Sequence, residues 1–205
     1  MFQENCYVVN DETKECVIID CGALYGEEKT AIINYIKTNE LIPKHLICTH
    51  AHIDHNLGNK IIYDTFGLKA EVSIADKPLM DKLKEQAATL MGMNINEAMP
   101  PVEYFAEDKK YIQFGTHKFE IINTPGHTPG SVFFYCQEEG IAFSGDTLFK
   151  LSIGRTDFEL GDYDAIINSL VMISNTLPHK TEIFSGHGPS TNIKDEIMYN
   201  PFLRR

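Results

Sequence analysis

The sequence lacks the features of membrane-spanning, secreted and disulfide-stabilised proteins. It contains no run of about 18 apolar residues, so no transmembrane helix is expected. Its first residues contain no basic segment followed by an apolar run, so no signal peptide is predicted. The cysteines are odd in number and form no Cys-x-x-Cys pair, which argues against a disulfide framework or a cysteine zinc site. We therefore expect reduced thiols and a cytoplasmic location.

Positive charge is also scarce. The 205 residues include 18 Lys and Arg against 29 Asp and Glu, which gives a formal net charge of −11. Such an acidic surface repels phosphate backbones, so nucleic-acid binding is disfavoured. Hydrophobic residues make up 43% and charged residues 23% of the chain, which is typical of a globular protein. No low-complexity linker interrupts it, and residues 1–205 are predicted to form one α/β domain.

Hydrophobic patterning predicts strands that alternate with helices. The predicted strands are residues 6–9, 16–20, 45–49, 70–74, 118–122, 132–136, 141–144 and 182–185. The predicted helices are residues 28–39, 59–65, 76–91, 163–173 and 193–199. Asp162 is the expected N-cap of the fourth helix, and Pro43 is expected to end the region of the first. Residues 92–108 contain Pro100 and Pro101 and are predicted to form a long loop or lid.

The segment from His50 to His55 is the densest chemical signal. It reads His-Ala-His-Ile-Asp-His and follows an apolar run. His50 and His52 are two residues apart, so in an extended segment their side chains point the same way. Asp54 and His55 are adjacent, so they point apart and can serve different centres. Imidazole and carboxylate suit zinc, iron or manganese, and this density favours a metal site over a chance polar loop.

Three later segments each place one candidate ligand in a glycine-containing turn after a predicted strand. They hold His127 in Pro-Gly-His-Thr-Pro-Gly, Asp146 in Ser-Gly-Asp-Thr, and His187 in Gly-His-Gly-Pro. Each turn alone is weak evidence, but a glycine beside a ligand lets the backbone approach a crowded centre. Together the seven candidates exceed the ligand number of one tetrahedral ion and fit two ions that share a carboxylate.

The order of these motifs resembles the metallo-β-lactamase superfamily, and within it the glyoxalase II (hydroxyacylglutathione hydrolase) branch. The motifs are His-x-His-x-Asp-His, Pro-Gly-His-Thr-x-Gly, Gly-Asp-Thr-Leu-Phe and Gly-His-Gly-Pro, and the similarity extends from Asn5 to Phe202. The resemblance implies a four-layer αβ/βα sandwich, in which two mixed sheets face each other and helices cover the outside. The ligand set is specific for the superfamily and much less specific for the substrate.

The resemblance also implies a role for each ligand. One metal ion would be bound by His50, His52 and His127, the second by Asp54, His55 and His187, and Asp146 would bridge them. A metal-bridging hydroxide would attack a thioester carbonyl, with Asp54 and Asp146 as the catalytic carboxylates. Two divalent ions are expected, zinc first, with iron and manganese as the alternatives.

Residues outside the ligand set are assigned from their chemistry. Arg155 is a candidate for binding a substrate carboxylate, and a structural salt bridge to Asp157 or Asp162 is equally expected. Lys150 is a second candidate for the same role. Asp20 closes an apolar strand and either orients a ligating histidine or caps a turn.

The leading hypothesis is a metal-dependent hydrolase of small-molecule thioesters, hydroxyacylglutathione or a related compound. The C-terminal helical domain that binds glutathione in glyoxalase II has no counterpart in the sequence, so the thiol carrier stays open. A mononuclear iron persulfide dioxygenase is one alternative, and a lactonase, β-lactamase or other hydrolase of the same superfamily is another. A closed structural metal site is disfavoured because the ligands are too many. No nucleic-acid or membrane partner is expected, and the oligomeric state is left open.

Overall fold

The structure, a computed structural model, describes residues 3–203 and contains two mixed β-sheets. The strands of the first sheet are β1 (Tyr7–Asn10), β2 (Glu15–Ile19), β3 (Ile42–Ile47), β4 (Ala70–Ser73) and β5 (Val102–Phe105), in that spatial order. β1 and β2 form an antiparallel hairpin, whereas β2 to β5 run parallel to one another. The parallel strands need crossover connections, and helices supply most of them.

The second sheet is mainly antiparallel. Its strands in chain order are β6 (Tyr111–Phe114), β7 (His117–Asn123), β8 (Val132–Cys136), β9 (Ile141–Gly145), β12 (Glu182–Ser185) and β13 (Thr191–Asn192). They lie in the order β13-β12-β9-β8-β7-β6, and only β9 and β12 pair in parallel. A small hairpin of β10 (Leu148–Phe149) and β11 (Ser152–Ile153) follows β9.

Successive side chains along a strand point to opposite faces of its sheet, so they pack into different hydrophobic cores. In β2, Ile18 packs in a cluster with residues of the helices outside the first sheet, and Ile19 packs between the sheets. In β8, Phe134 faces the same inter-sheet core as Ile19, whereas Phe133 packs against Ile166 outside the second sheet. Both faces of each sheet are therefore covered, and each sheet lies between a helical layer and the other sheet.

Helices form the two outer layers. The helices over the first sheet are α1 (Gly26–Thr38), α2 (Asn59–Phe66), α3 (Lys77–Met80) and α4 (Leu83–Met91); those over the second are α5 (Tyr163–Thr176) and α6 (Ile193–Tyr199). As predicted, Asp162 caps α5, because its carboxylate accepts a hydrogen bond from the amide of Ala165. This arrangement confirms the predicted four-layer sandwich. Among the described residues, no helix has both the length and the apolar character needed to cross a bilayer.

The single helix predicted for residues 76–91 is wrong. The segment is divided into a 3₁₀ turn at Ile74–Asp76, then α3 and α4. Pro78 lies in the first turn of α3, where its missing amide is tolerated. The side-chain amide of Gln86 in α4 donates to the carbonyl of Leu79 in α3 (2.9 Å), which also accepts from the amide of Lys82 (3.0 Å), and so ties the two helices together at the break.

Two further sequence predictions are corrected by strands. Residues 92–108 are not one long loop, because β5 lies within them and pairs in parallel with β4, and the separate strand β6 follows. Pro43 does not end the first helical region; it lies inside β3. There it is opposite Cys16, where the register between β2 and β3 shifts, and proline is tolerated at such an irregularity.

Candidate metal centre

The candidate ligands all follow strands whose ends meet at one edge of the two sheets. The segment His50–His55 follows β3 of the first sheet. His127, Asp146 and His187 follow β7, β9 and β12 of the second sheet. Ligands that are far apart in the sequence therefore converge because their strands end together, as the placement of ligand sites at strand ends predicts.

Backbone hydrogen bonds fix these strand ends against one another. The amide of Gly186 donates to the carbonyl of Gly145 (2.8 Å), which holds the two turns after β9 and β12 side by side. The amide of Val132 donates to the carbonyl of Thr49 (3.0 Å), which joins the second sheet to the first beside His50. The spacing of the two sheets at the site is thus set by the main chain.

The ligands form two triads. His50, His52 and His127 each offer one ligand atom, and these atoms lie within 4.8 Å of one another. Asp54, His55 and His187 satisfy the same criterion. Each triad combines side chains from the first sheet with one from the second. The structure therefore brings together both ligand groups that the sequence predicted.

Asp146 lies between the triads. Its Oδ1 is 3.4 Å from His55 Nε2, and its Oδ2 is 3.5 Å from His187 Nε2 and 3.7 Å from His127 Nε2. One carboxylate thus faces a nitrogen of the first triad and two nitrogens of the second. This position suits a carboxylate that contacts two metal ions at once.

Several donor atoms at the centre lack hydrogen-bond partners, and this is the test of whether the residues fit metal ions. His50 Nε2, His55 Nε2 and Asp146 Oδ1 are buried and make no hydrogen bond. Burying such groups without a partner is costly, and native structures rarely do so. Because the atoms are imidazole nitrogens and a carboxylate oxygen, the donor set fits zinc, iron or manganese.

The opposite sides of two imidazoles are anchored, which aims their free nitrogens at the centre. His127 Nδ1 donates to the carbonyl of Arg155 (2.7 Å), and His55 Nδ1 donates to Asp20 Oδ2 (3.0 Å). Such outer partners fix the tautomer and the ring orientation of a metal-ligating histidine. His52 Nδ1 lies 2.8 Å from His127 Nε2, so these two ring nitrogens face the same point.

Burial sets the charge of the ligands. It lowers the pKa of His52 to about 3 and also lowers the pKa of His50 and of His127, so these imidazoles are neutral and able to bind a cation. Burial acts in the opposite direction on Asp146, but the surrounding imidazoles, His55 first, hold the pKa of its carboxyl below the usual value. The first triad therefore presents neutral histidines. In the second triad burial is outweighed by the neighbouring carboxylates, which raise the pKa of His55 and of His187 beside the ionised Asp146.

Two buried carboxylates hold the ligand loops in place. Asp20 has a left-handed backbone (φ 48°) and accepts hydrogen bonds from the amide and hydroxyl of Thr49, both at 2.7 Å, besides that from His55. Of the two roles considered for Asp20, the structure supports the orienting one. Because its oxygens are used in this way, we regard Asp20 as a support for His55 rather than as a ligand.

Asp76 is the second of these carboxylates, and sequence reasoning missed it. Its oxygens accept hydrogen bonds from the amides of Ala51 (2.8 Å) and Gly130 (2.6 Å) and from the hydroxyl of Thr128 (2.8 Å). It therefore ties the loop after β3 to the turn after β7, although it belongs to neither. In the sequence Asp76 had only the appearance of a helix start, and its partners are too distant along the chain to be found by spacing.

A cavity of about 670 Å³ is lined by ligands of both triads and by Arg155. The guanidinium forms a bidentate salt bridge with Asp157 (2.6 and 2.7 Å) and stacks on the ring of Phe158, with its carbon 3.8 Å from the ring centroid. Asp162 instead caps α5. Arg155 thus has both properties considered for it, a local salt bridge and a position on the wall of the metal cavity.

The structure does not bring Lys150 into this cavity. Lys150 lines a separate cleft together with His179 and Lys194. The other histidines outside the motifs have partners elsewhere: His45 contacts Glu71, and His117 contacts Asp11 and Glu139. Among the described residues, none of the metal-competent clusters includes His45, His117 or His179, in line with the sequence prediction.

Comparisons with known proteins extend over nearly the whole chain. A family model described as the metallo-beta-lactamase superfamily matches residues 1–187. Hydroxyacylglutathione hydrolase GloC of Haemophilus influenzae is 37% identical over 203 residues, which are 98% of this chain and 93% of that protein. The crystal structure of the B3 metallo-beta-lactamase BLEG-1 is 37% identical, with a TM-score of 0.87 over 100% of this chain and 96% of that one. TTHA1623, crystallised in a di-iron-bound form, is 34% identical, with a TM-score of 0.86 over 98% of this chain and 96% of that one.

Proposed function

This chain belongs to the metallo-β-lactamase superfamily, and from that premise we propose that it hydrolyses small-molecule thioesters of the hydroxyacylglutathione type. The observation that carries the proposal is the pair of ligand triads that share Asp146, with buried donor atoms that lack hydrogen-bond partners. The name of the relative GloC supports the thioester class. In the reaction, water adds across the carbon–sulfur bond, so that the acyl carbon gains a hydroxyl group and the sulfur gains a proton.

The metal ions would be held by the residues of the two triads. His50, His52 and His127 would bind the first ion, Asp54, His55 and His187 the second, and Asp146 would contact both. Bound divalent ions would supply Lewis acidity and a coordinated water of lowered pKa, about 7 in hydrolytic zinc sites. Zinc is the expected metal, and the di-iron-bound form of TTHA1623 makes iron the first alternative.

Asp54 is the carboxylate placed to orient the attacking water. It lines the metal cavity, and its Oδ2 is 3.3 Å from His187 Nε2. Burial would raise the pKa of Asp54, but the hydrogen bond from His187 and the charge of His55 keep that pKa below its usual value. An ionised Asp54 can accept a hydrogen bond from water in the cavity and hold it towards the substrate carbonyl.

Arg155 would bind the thiol carrier. A guanidinium has five N–H donors, and the pair with Asp157 uses two of them, at Nε and Nη2. The remaining donors can take a carboxylate of the carrier, and the stacking on Phe158 fixes the plane in which they point. Glutathione carries such carboxylates, so Arg155 supports a glutathione thioester.

The function is tested by hydrolysis of S-D-lactoylglutathione with protein loaded with zinc, iron or manganese. We expect kcat/KM above about 10⁴ M⁻¹s⁻¹ with at least one metal. Asp146→Ala should bind fewer than two metal ions per chain and lose at least about 100-fold in activity, more than the loss of an outer-shell partner costs. His179→Ala, which changes an exposed residue outside the centre, is the matched control.

The alternatives predict different results in the same experiment. Full activity in Asp146→Ala would contradict the two-metal mechanism. Oxygen consumption with glutathione persulfide, together with one iron per chain, would support the dioxygenase instead. Turnover of a lactone or a β-lactam without thioester hydrolysis would show that the protein is a metallo-hydrolase with a substrate other than a thioester. Because the chain is similar to BLEG-1, a β-lactam must be among the substrates tested.

A further inference from the structure

A second cavity adjoins the metal centre at Asp54, and Arg155 does not line it. Its volume is about 350 Å³, and Asp54 lines both this cavity and the metal cavity, whereas Arg155 lines only the latter. We call it the Leu57 trough, after the residue on its floor. Its apolar wall is formed by Leu24, Ala31, Ile32, Leu57 and Met91.

The charges of the trough exclude an anionic ligand. Glu28 and Asp54 line it with carboxylates, and none of its lining residues among those described is Lys or Arg. Glu4 also lines it, but burial raises the pKa of Glu4 to about 9, so its carboxyl adds no charge near neutral pH. Glu28 caps α1 at the rim of the trough, because its carboxylate accepts hydrogen bonds from the amides of Leu24 and Tyr25, both at 2.9 Å. A carboxylate or phosphate of a thiol carrier would be repelled here, whereas an uncharged apolar group would be accepted.

The trough continues beyond Leu24 and Leu57. Both residues also line a neighbouring cavity of about 490 Å³, whose other walls combine Met93, Ile95 and Met99 with charged side chains that include Lys29 and Lys60. These methionines lie on the segment between α4 and β5 and pack partly buried against the core of the first sheet. Unbranched methionine side chains adapt to ligands of different length, so the extension can lengthen the apolar path.

We propose that the Leu57 trough is the acyl subsite of the enzyme and that it selects thioesters with apolar acyl chains of several carbon atoms. This inference rests on the proposed thioester hydrolysis. A thioester carbonyl has two substituents, and the centre has two openings of opposite character on either side of Asp54. The anionic carrier fits the opening with Arg155, and the acyl chain fits the opening that has carboxylates and apolar side chains.

The first test compares the S-acetyl, S-butanoyl and S-hexanoyl thioesters of glutathione with the metal-loaded protein. A fully buried methylene group contributes about a fourfold gain, and hexanoyl has four more of them than acetyl, so full burial would give up to about 250-fold. With partial burial, kcat/KM should still rise at least about tenfold from acetyl to hexanoyl. Ala31→Phe places a ring in the trough from an exposed position on α1 and should remove the chain-length preference, so that the variant turns over the hexanoyl thioester no faster than the acetyl thioester. Thr30→Phe, exposed on the same helix and outside the trough, is the matched control and should change neither turnover.

The second test measures binding without hydrolysis. S-ethylglutathione and S-hexylglutathione are thioethers and cannot be cleaved, and calorimetry should give about tenfold tighter binding of the hexyl compound to the unaltered protein but not to Ala31→Phe. Acetyl turnover with no dependence on chain length would overturn this inference and leave the proposed function intact. A chain-length preference that survives Ala31→Phe would overturn the location. If no thioester were hydrolysed, the proposed function would be wrong. The thioether measurements would still test the subsite in that case, because equal affinities for the ethyl and hexyl compounds would overturn it.

Discussion

His55 shows how strongly single residues are constrained at this centre. Its Nδ1 is held by Asp20 and its Nε2 faces Asp146, so the ring can neither rotate nor change tautomer without losing a contact. Asp20 is itself fixed by Thr49. The carboxylate of Asp20 therefore acts on the second metal position through His55, without touching it.

Asp20→Asn is expected to weaken metal binding rather than folding. Asparagine tolerates the left-handed backbone of Asp20, so the turn should persist. The amide cannot accept hydrogen bonds at both of its atoms, so either Thr49 or His55 loses its partner. Affinity for the second equivalent of metal should fall about 10- to 100-fold, the usual effect of an outer-shell partner. Metal titration of the apoprotein would measure this, and two equivalents bound as in the unaltered protein would contradict it.

Gly186 is required for space rather than for backbone freedom. A Cβ at this position would lie 2.3 Å from Asp146 Oδ1 and 2.6 Å from His55 Cε1. Gly186→Ala should therefore displace both side chains and lower metal content to one ion per chain or less, with a matching loss of activity. Gly26→Ala is the control, because a Cβ there meets no atom within 4 Å. Metal content by mass spectrometry would decide, and two ions bound to Gly186→Ala would argue against the geometry.

At the scale of elements, the sequence predicted the parts of the site that depend on strand ends. Apolar runs located β3, β7, β9 and β12, and glycine turns follow the last three; these strand ends contained every member of the two triads. The division between α3 and α4 and the strand β5 were not predicted. Leu79, Leu83 and Ala87 have helical spacing across the break, so periodicity does not reveal it, and β5 is too short and follows two prolines. Tertiary contacts decide such segments.

Asp11 links the two sheets through their hairpins. Its carboxylate accepts hydrogen bonds from the amide of Thr13 in the β1–β2 turn (2.9 Å) and from the amide of Thr116 in the β6–β7 turn (2.6 Å). The hydrogen bonds from Thr13 and Thr116 hold the pKa of Asp11 well below its usual value. A carboxyl with a lowered pKa in the folded protein contributes stability above its unfolded pKa, about 3.9, and loses it as the pH falls further.

The free energy of unfolding of Asp11→Asn should therefore depend less on pH, in acid, than that of the unaltered protein. The free energy of unfolding of the unaltered protein is expected to fall more steeply below about pH 4 than that of the variant, and the two profiles should converge at the lowest pH values. Urea unfolding at a series of pH values would test this. Glu12→Gln, exposed in the same turn, is the control. Parallel profiles for the unaltered protein and Asp11→Asn would show that Asp11 makes no pH-dependent contribution.

At the scale of the whole molecule, the distribution of charge orients the substrate. The chain carries a formal net charge of −11, and two divalent ions would bring it to −7. Arg155 is therefore a positively charged group beside the centre within a strongly acidic protein, while the Leu57 trough presents carboxylates. On the proposed function, the anionic carrier would approach beside Arg155, and the acyl group would then lie towards the trough.

The metal ions should also join the two halves of the sandwich. Each triad takes two ligands from the loop after β3 in the first sheet and one from the second sheet, His127 or His187, so a bound ion bridges the sheets. A ligand that binds only the folded state at 100 times its dissociation constant stabilises by about 2.7 kcal/mol. For a chain of this length, the melting temperature should rise by about 5–10 °C for each occupied site. Thermal unfolding of chelator-treated protein, with and without added zinc, would measure the shift, and Asp146→Ala should show a smaller one. An unchanged melting temperature in protein that demonstrably binds two ions would mean that the main chain alone fixes the spacing of the sheets.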